Sequence, residues 1–334
     1  MLFLCIHIRI AMIILQILIL IAGLALILFG AEILVNGASS IARKAGLSEF
    51  VIGLTIVGMG TSAPEFVVSM IGAISGNADV AVGNVIGSNI FNSLMILGTT
   101  AVIMPMGMSR SIVKRDIPIN LAVAIILLLL GMSGVIFGIG DNGLGRAEGA
   151  ILLILFATYI WFSFKNDSQI EAFESGNHET AARKTWLSVV MVLGGLAGLV
   201  VGGRLFVNSA TAIARMAGVS DKFIAITILA GGTSLPELAT CVVAAIHKKG
   251  QLALGNILGS NVFNILLILG SAAVVRPLSF ASINFVDVGA LVLSGVLILT
   301  SIWTGRKKRR LDRMDGAIML VCWAAYMTWL IIKL

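Results

Sequence analysis

Apolar runs alternate with short polar loops along the whole chain. Ten runs approach the length of about 20 residues that spans a bilayer. They lie at roughly 12–35, 48–75, 80–104, 117–138, 147–165, 186–212, 220–246, 251–275, 284–304 and 314–333. The pattern predicts an all-α membrane protein of ten transmembrane helices. One stretch breaks it from inside, Gly58-Met59-Gly60-Thr61-Ser62-Ala63-Pro64-Glu65. Its glycines loosen the backbone. Pro64 has no N–H to give, and its ring crowds the carbonyl of Gly60 four residues back. Irregular backbone at membrane depth is tolerated only where it is buried in protein or lines a cavity. Thr61 and Glu65 are four apart, which puts both oxygens on one helix face. An ionisable residue at that depth marks a functional site by default.

The stretch recurs 172 residues later as Ala230-Gly231-Gly232-Thr233-Ser234-Leu235-Pro236-Glu237, with five of eight positions identical. At the same offset Gly30 meets Gly202, Val35-Asn36 meets Val207-Asn208, and Pro105 meets Pro277. Residues 83–92 match 255–264 at seven of ten positions, including Gly-Asn, Gly-Ser-Asn and Phe-Asn. Chance likeness between two apolar segments would not hold polar residues in register. The chain therefore reads as a duplication. Its parts are a first five-helix repeat at 12–165, a linker at 166–185 and a second five-helix repeat at 186–334, within one transmembrane domain.

Five spans per half is an odd number, so the halves enter the membrane from opposite sides. Loop charge gives the same answer independently. Arg43, Lys44, Arg110, Lys114 and Arg115 follow the first and third spans, whereas Ser75–Asp79 after the second carries no base. In the second half the pattern flips, with Lys248 and Lys249 after its second span and no base in 278–286. Placing both termini outside puts 16 of the 23 Lys and Arg on the cytoplasmic side, the side that basic loops favour. An inverted repeat with irregular helices in matching positions is the layout of a secondary transporter with its site near the midplane.

Composition narrows the field. The chain is 58% hydrophobic and 12% charged, which leaves no room for a separate soluble domain. The net charge of +7 comes from short loops and is no sign of nucleic acid. Cys5, Cys241 and Cys322 lie far apart in apolar segments and read as buried small residues, with neither a disulfide framework nor a metal cluster. The first run is longer than a signal-peptide core and flows into the repeat. Met1 and Met12 are both candidate starts. Asp167, Glu171 and Glu174 in the linker read as solvated, and a regulatory cation site there is the alternative. Arg306 to Arg310 fixes topology and can also attract anionic lipid headgroups. Glu32 meets Arg204 in the repeat, and that mismatch makes it an interface or pairing residue and not a ligand.

The polar residues of the four irregular spans are Thr61, Ser62, Glu65, Ser88 and Asn92, with Thr233, Ser234, Glu237, Ser260 and Asn264. The spans holding Ser88 and Ser260 are expected to be broken like the other two. The carbonyls near Gly58 and Ala230 are expected to be freed by the proline breaks. Every candidate ligand is an oxygen, which suits hard cations and disfavours Zn2+ and Cu+. Two close buried carboxylates repel, so the pair needs cations or a proton. One Ca2+ or two Na+ neutralise it, and a third Na+ leaves +1. Small and hydroxylated residues also serve as contacts between membrane helices, and Ser62 or Ser234 alone fits either role. An enzyme would need a nucleophile and a base, but His7, His178 and His247 lie in loops or near ends. A passive channel is the remaining class.

Gly-Thr-Ser-x-Pro-Glu followed by Gly-Ser-Asn-x-Phe-Asn, twice, resembles the sodium/calcium exchanger family of the cation/calcium antiporter superfamily, most closely its prokaryotic members. The likeness covers about residues 12–333. It implies an antiporter exchanging Na+ for Ca2+ by alternating access, the ions binding as substrates with no prosthetic group. A proton-coupled calcium/cation antiporter is the alternative. It implies a central divalent site at Thr61, Glu65, Thr233 and Glu237. Sodium positions map to Gly58, Ser62, Ser88, Ala230, Ser234 and Ser260, the first and fourth acting through carbonyls, and the middle position to Asn92 and Asn264. Many relatives carry Asp where this chain has Asn264, which leans toward potassium independence. Ala63 replaces a commoner leucine. The expected setting is a prokaryotic inner membrane, with lipids as partners and no obligate protein partner.

Overall fold

A computed structural model describes residues 2–138, 141–165, 184–218, 230–281, 283–304 and 309–333. The linker acids Asp167, Glu171 and Glu174, residues 220–229 and Arg306 to Lys308 lie outside them.

The chain enters on α1 (Leu2–Ala45), 44 residues and so about 66 Å long at the usual helical rise. Ile14, Leu18, Ile21 and Phe29 are exposed apolar residues along it. That is how a lipid-facing surface is built. Ser48 then accepts the Val51 N–H and starts α2 (Glu49–Thr61). A π-helical turn at Gly53–Val57 widens α2. The helix stops at Ser62, whose φ of −81° and ψ of 8° leave the helical well, and α3 (Ala63–Ile74) departs at 48°. Pro64 sits in the first turn of α3, where a missing N–H is harmless.

Asn77 caps α4 (Ala78–Ile103), which holds a π-helical turn at Phe91–Ile96. Then come β1 (Met106–Gly107), α5 (Ile117–Gly131), α6 (Ser133–Phe137), β2 (Gly143–Leu144) and α7 (Arg146–Lys165). The second part runs α8 (Thr185–Met216), α9 (Ala230–Gly232), α10 (Leu235–Ile246), α11 (Gly250–Val275), β3 (Leu278–Ser279), α12 (Phe285–Thr304), β4 (Arg310–Leu311) and α13 (Arg313–Ile332). Ser234 repeats the break of Ser62, with φ −90° and ψ 9°.

Among the described residues, seven helices are long and apolar enough to cross a membrane, or eight with α2 and α3 taken as one bent span. Runs 117–138 and 220–246 are met by the shorter α5 and α10, and 220–229 is not described. The expectation of four broken spans is corrected. α4 and α11 are continuous, because neither has a proline to remove a helical bond, and a π-helical turn absorbs the irregularity.

Elements recur at the offset of 172 up to β1 and β3, since 63–74 maps to 235–246 and 106–107 to 278–279. Beyond them β4 and α13 follow β2 and α7 at 167. The ungapped register therefore ends after the prolines, where the second part is five residues shorter.

α1 and α8 are equivalent in the repeat and pack against each other antiparallel. Gly23 lies against Gly202, Gly30 against Gly195, and Gly37 against Ser188, one number rising as the other falls. A Cβ on Gly30 would sit 2.9 Å from the Gly195 carbonyl oxygen, and one on Gly195 would sit 2.7 Å from that of Gly30. Only hydrogen fits there. Ser188 Oγ donates to Ser40 Oγ at 2.8 Å in the same seam.

Loop ends gather on two sides. On one, β1 pairs with β4, Gln251 Nε2 donates to Gly107 O, Arg313 Nε to Val102 O, and Lys44 Nζ to Thr185 Oγ1. On the other, β2 pairs with β3, and Arg146 Nε donates to Val274 O. The buried α11 and α4 form the centre, and the site lies on them.

Candidate functional site

Glu65 and Glu237 occupy the first turns of α3 and α10, directly after the two breaks, and each is 1% exposed. The breaks face each other. Ser62 Oγ donates to Glu237 Oε1 at 2.8 Å, and Ser234 Oγ donates to Glu65 Oε1 at 2.9 Å. The two contacts exchange when the repeats exchange, as a two-fold relationship requires. The four side chains form one cluster, and neither glutamate faces lipid.

The second oxygen of each carboxylate is buried without a hydrogen-bond partner. So are Ser88 Oγ, Asn92 Oδ1, Thr233 Oγ1 and Asn264 Oδ1. Leaving a buried polar atom unsatisfied costs about 1–3 kcal/mol, and more for a charged group. Of these residues, the two glutamates and the two asparagines are repeat partners, and oxygens of this kind are the ligands that hard cations favour. Carboxylates, hydroxyls and amides make up the set. Among the described residues no group of three or more His, Cys, Asp and Glu could hold a metal.

Thr61 Oγ1 lies 3.0 Å from the Val57 carbonyl and 3.2 Å from Asn256 Oδ1. One hydroxyl proton can serve only one of these acceptors. The Gly58 carbonyl accepts the Ser62 N–H at 3.1 Å and the Ser260 hydroxyl at 3.4 Å. It is therefore engaged and not freed by the break. Ala230 opens α9 with its backbone described.

Behind the carboxylates stands a second layer that the motifs do not reveal. Asn84 Nδ2 donates to the Glu65 carbonyl at 3.2 Å and to Ser69 Oγ at 3.0 Å, while Asn256 Nδ2 donates to Cys241 Sγ at 3.2 Å. Ser69 and Cys241 are repeat partners, as are Asn84 and Asn256. Each pair ties the helix carrying the glutamate to its central neighbour. Asn89 Nδ2 donates to the Asn261 carbonyl, Asn264 Nδ2 to Asn89 Oδ1, and Asn261 Nδ2 to Ser93 Oγ. These bonds stitch α4 to α11. They also turn the Asn264 amide so that its oxygen is the free end. The signal was present, since Asn84, Asn89, Asn256 and Asn261 all keep register in the repeat. Cys241 is buried as expected, but it acts as an acceptor in the place of a serine hydroxyl.

Glu32 lies outside the cluster. Its Oε2 is 2.7 Å from His247 Nε2, and its Oε1 accepts from Asn36 Nδ2 at 3.0 Å. It pairs α1 with the loop after α10, as the repeat mismatch implied.

Comparison with known proteins gives the family. The profile of the family described as sodium/calcium exchanger protein matches residues 15–165 and 187–332. CaxA of Alkalimonas amylolytica is 38% identical over 313 residues, covering 91% of this chain and 95% of CaxA. The sodium/calcium exchanger MaX1 of Methanosarcina acetivorans is 31% identical over 351 residues, covering 95% and 98%. A solved structure of the sodium-calcium exchanger NCX_Mj, soaked with 10 mM Na+ and zero Ca2+, superposes with a TM-score of 0.81 at 31% identity, covering 95% of this chain and 99% of that one. These matches run nearly the full length and span both glutamate motifs. The chain therefore belongs to the sodium/calcium exchanger family, a family of membrane antiporters and not of enzymes.

Proposed function

We propose that this protein exchanges Na+ against Ca2+ across the membrane by alternating access at one shared site. The observation that carries the reading is the Glu65–Glu237 pair. Each carboxylate has one oxygen held by the opposite serine and one buried oxygen without a partner. Such a pair can be neutralised by one Ca2+ or by two Na+, so each ion excludes the other by charge.

In this reading Glu65, Glu237, Thr61 and Thr233 hold the divalent ion. Ser62, Ser88, Ser234 and Ser260, with the carbonyl of Ala230, hold Na+ at the flanks, and Asn92 and Asn264 line the middle; the Gly58 carbonyl joins them only when the Ser260 hydroxyl that it now accepts turns to the ion. Sharing the site couples the fluxes, because a ligand shifts a conformational equilibrium only through its different affinity for the two states. α1 and α8, joined by their own close seam, are the mobile pair against the other eight spans. The full arrangement is two inverted five-span repeats, 12–165 and 186–334, joined by 166–185. The side bearing Lys44, Arg110, Lys114 and Lys248 faces the cytoplasm of a prokaryotic cell, with both termini outside.

Ca2+ flux in proteoliposomes, with Na+, K+ and pH gradients imposed separately, tests this. Uptake driven by Na+ alone is the expected result. A proton-coupled exchange is the second reading, because the unpartnered carboxylate oxygens could each carry a proton. Uptake driven by a pH gradient without Na+ would select it.

A further inference from the structure

Apart from the ion cluster, with which it shares no residue, the start of the α5 segment forms an open groove of about 680 Å3 lined by Arg110, Lys114, Arg115, Pro118, Ile119 and Phe162. A second hollow of about 360 Å3 adjoins it and adds Arg309 to Arg110 and Lys114. Four cations thus converge on one place. Arg115 explains why the place is unusual. Its side chain is 10% exposed, and its Nε and Nη2 are both held by the fully buried Asp116 at 3.0 and 3.1 Å. Its Nη1 is buried without a partner. The guanidinium lies 5.8 Å from the centre of the Phe162 ring. A planar cation fixed by two bonds stands in the wall of the groove at a set place, beside the mobile ends of Arg110 and Lys114.

We propose that this groove binds the phosphate headgroup of an anionic membrane lipid. Charge complementarity is the first reason. The second is what leads away from the cations. Pro118, Ala122, Ile125 and Leu129 are exposed at helical spacing along one face of α5, and Phe162 of α7 is exposed beside them. That stripe runs from the groove toward the bilayer interior and gives an acyl chain its path. A soluble anion would have no use for it. Basic hollows between membrane helices at the cytoplasmic surface are places where such headgroups dock. The inference rests on the membrane fold and not on which ions are exchanged.

Native mass spectrometry of the full-length protein, titrated with phosphatidylglycerol or with phosphatidylcholine of the same chains, tests it. Phosphatidylglycerol is expected to remain bound and phosphatidylcholine to dissociate. Arg110→Gln with Lys114→Gln leaves the Arg115–Asp116 pair intact and should weaken phosphatidylglycerol binding by about 5-fold per removed cation. Arg146→Gln, at the other end of the molecule, should leave it unchanged. Binding in the double variant equal to wild type, with an unchanged melting temperature, overturns the site. Displacement of the lipid by inorganic phosphate at equal concentration overturns the lipid assignment in favour of a free anion.

Discussion

Ser62 donates its hydroxyl to Glu237 across the centre of the molecule at 2.8 Å, and the same bond runs back from Ser234 to Glu65. Neither carboxylate is satisfied by its own repeat. Ser62→Ala and Ser234→Ala should therefore each weaken cation binding by about 10- to 150-fold, the worth of one hydrogen bond to a charged group. The two losses should be similar, because the contacts are equivalent. Isothermal titration with Ca2+ reads this directly.

Glu65→Gln and Glu237→Gln remove a charge from a buried cluster that needs two. Na+-dependent uptake of radiolabelled Ca2+ should fall by roughly 100-fold or more in each, on the scale of breaking a buried charge pair. Retained uptake in both variants would remove these residues from the site.

Cys241 stands where its repeat partner is Ser69, and both accept from an asparagine. Cys241→Ser should leave the melting temperature and the exchange rate near wild type. Cys241→Val leaves Asn256 Nδ2 buried without an acceptor and should destabilise the protein by about 1–3 kcal/mol. Thermal unfolding in detergent distinguishes the two.

Gly30→Leu adds a side chain whose Cβ would lie 2.9 Å from the Gly195 carbonyl oxygen. α1 and α8 must separate to admit it. Loss of thermal stability and slowed exchange are expected together, whereas the same change at the exposed Gly83 should have a smaller effect on the seam.

Glu32 and His247 are close, but their side chains are 43% and 38% exposed. Exposed pairs contribute about 0–1 kcal/mol. Glu32→Gln should leave stability within that range, which a melting curve will show.

The membrane class, the duplication and the two glutamates were legible because each leaves a local mark. A span is an apolar run, a break is Gly with Pro, and a buried carboxylate is out of place by its cost. The antiparallel meeting of α1 with α8 was legible only as an odd count of spans, since glycine spacing does not name its partner. The continuity of α4 and α11 was hidden because a π-helical turn carries no proline or other breaker. The asparagine layer behind the glutamates was visible as matched letters but not as a function, since an amide in a helix looks the same whether it braces a neighbour or faces an ion. The shift from 172 to 167 was invisible because, beyond Pro277, too few residues repeat to fix a register.

The two miniature ribbons have a lasting consequence. β1 finds its mate in β4 and β3 finds its mate in β2, so each half lends an edge to the other. A solitary half would meet the water with an unmatched strand at both surfaces and a carboxylate lacking its serine. The smallest self-sufficient unit is consequently the interlocked whole, and severed halves can regain function only by inserting head-to-toe and clasping at both rims.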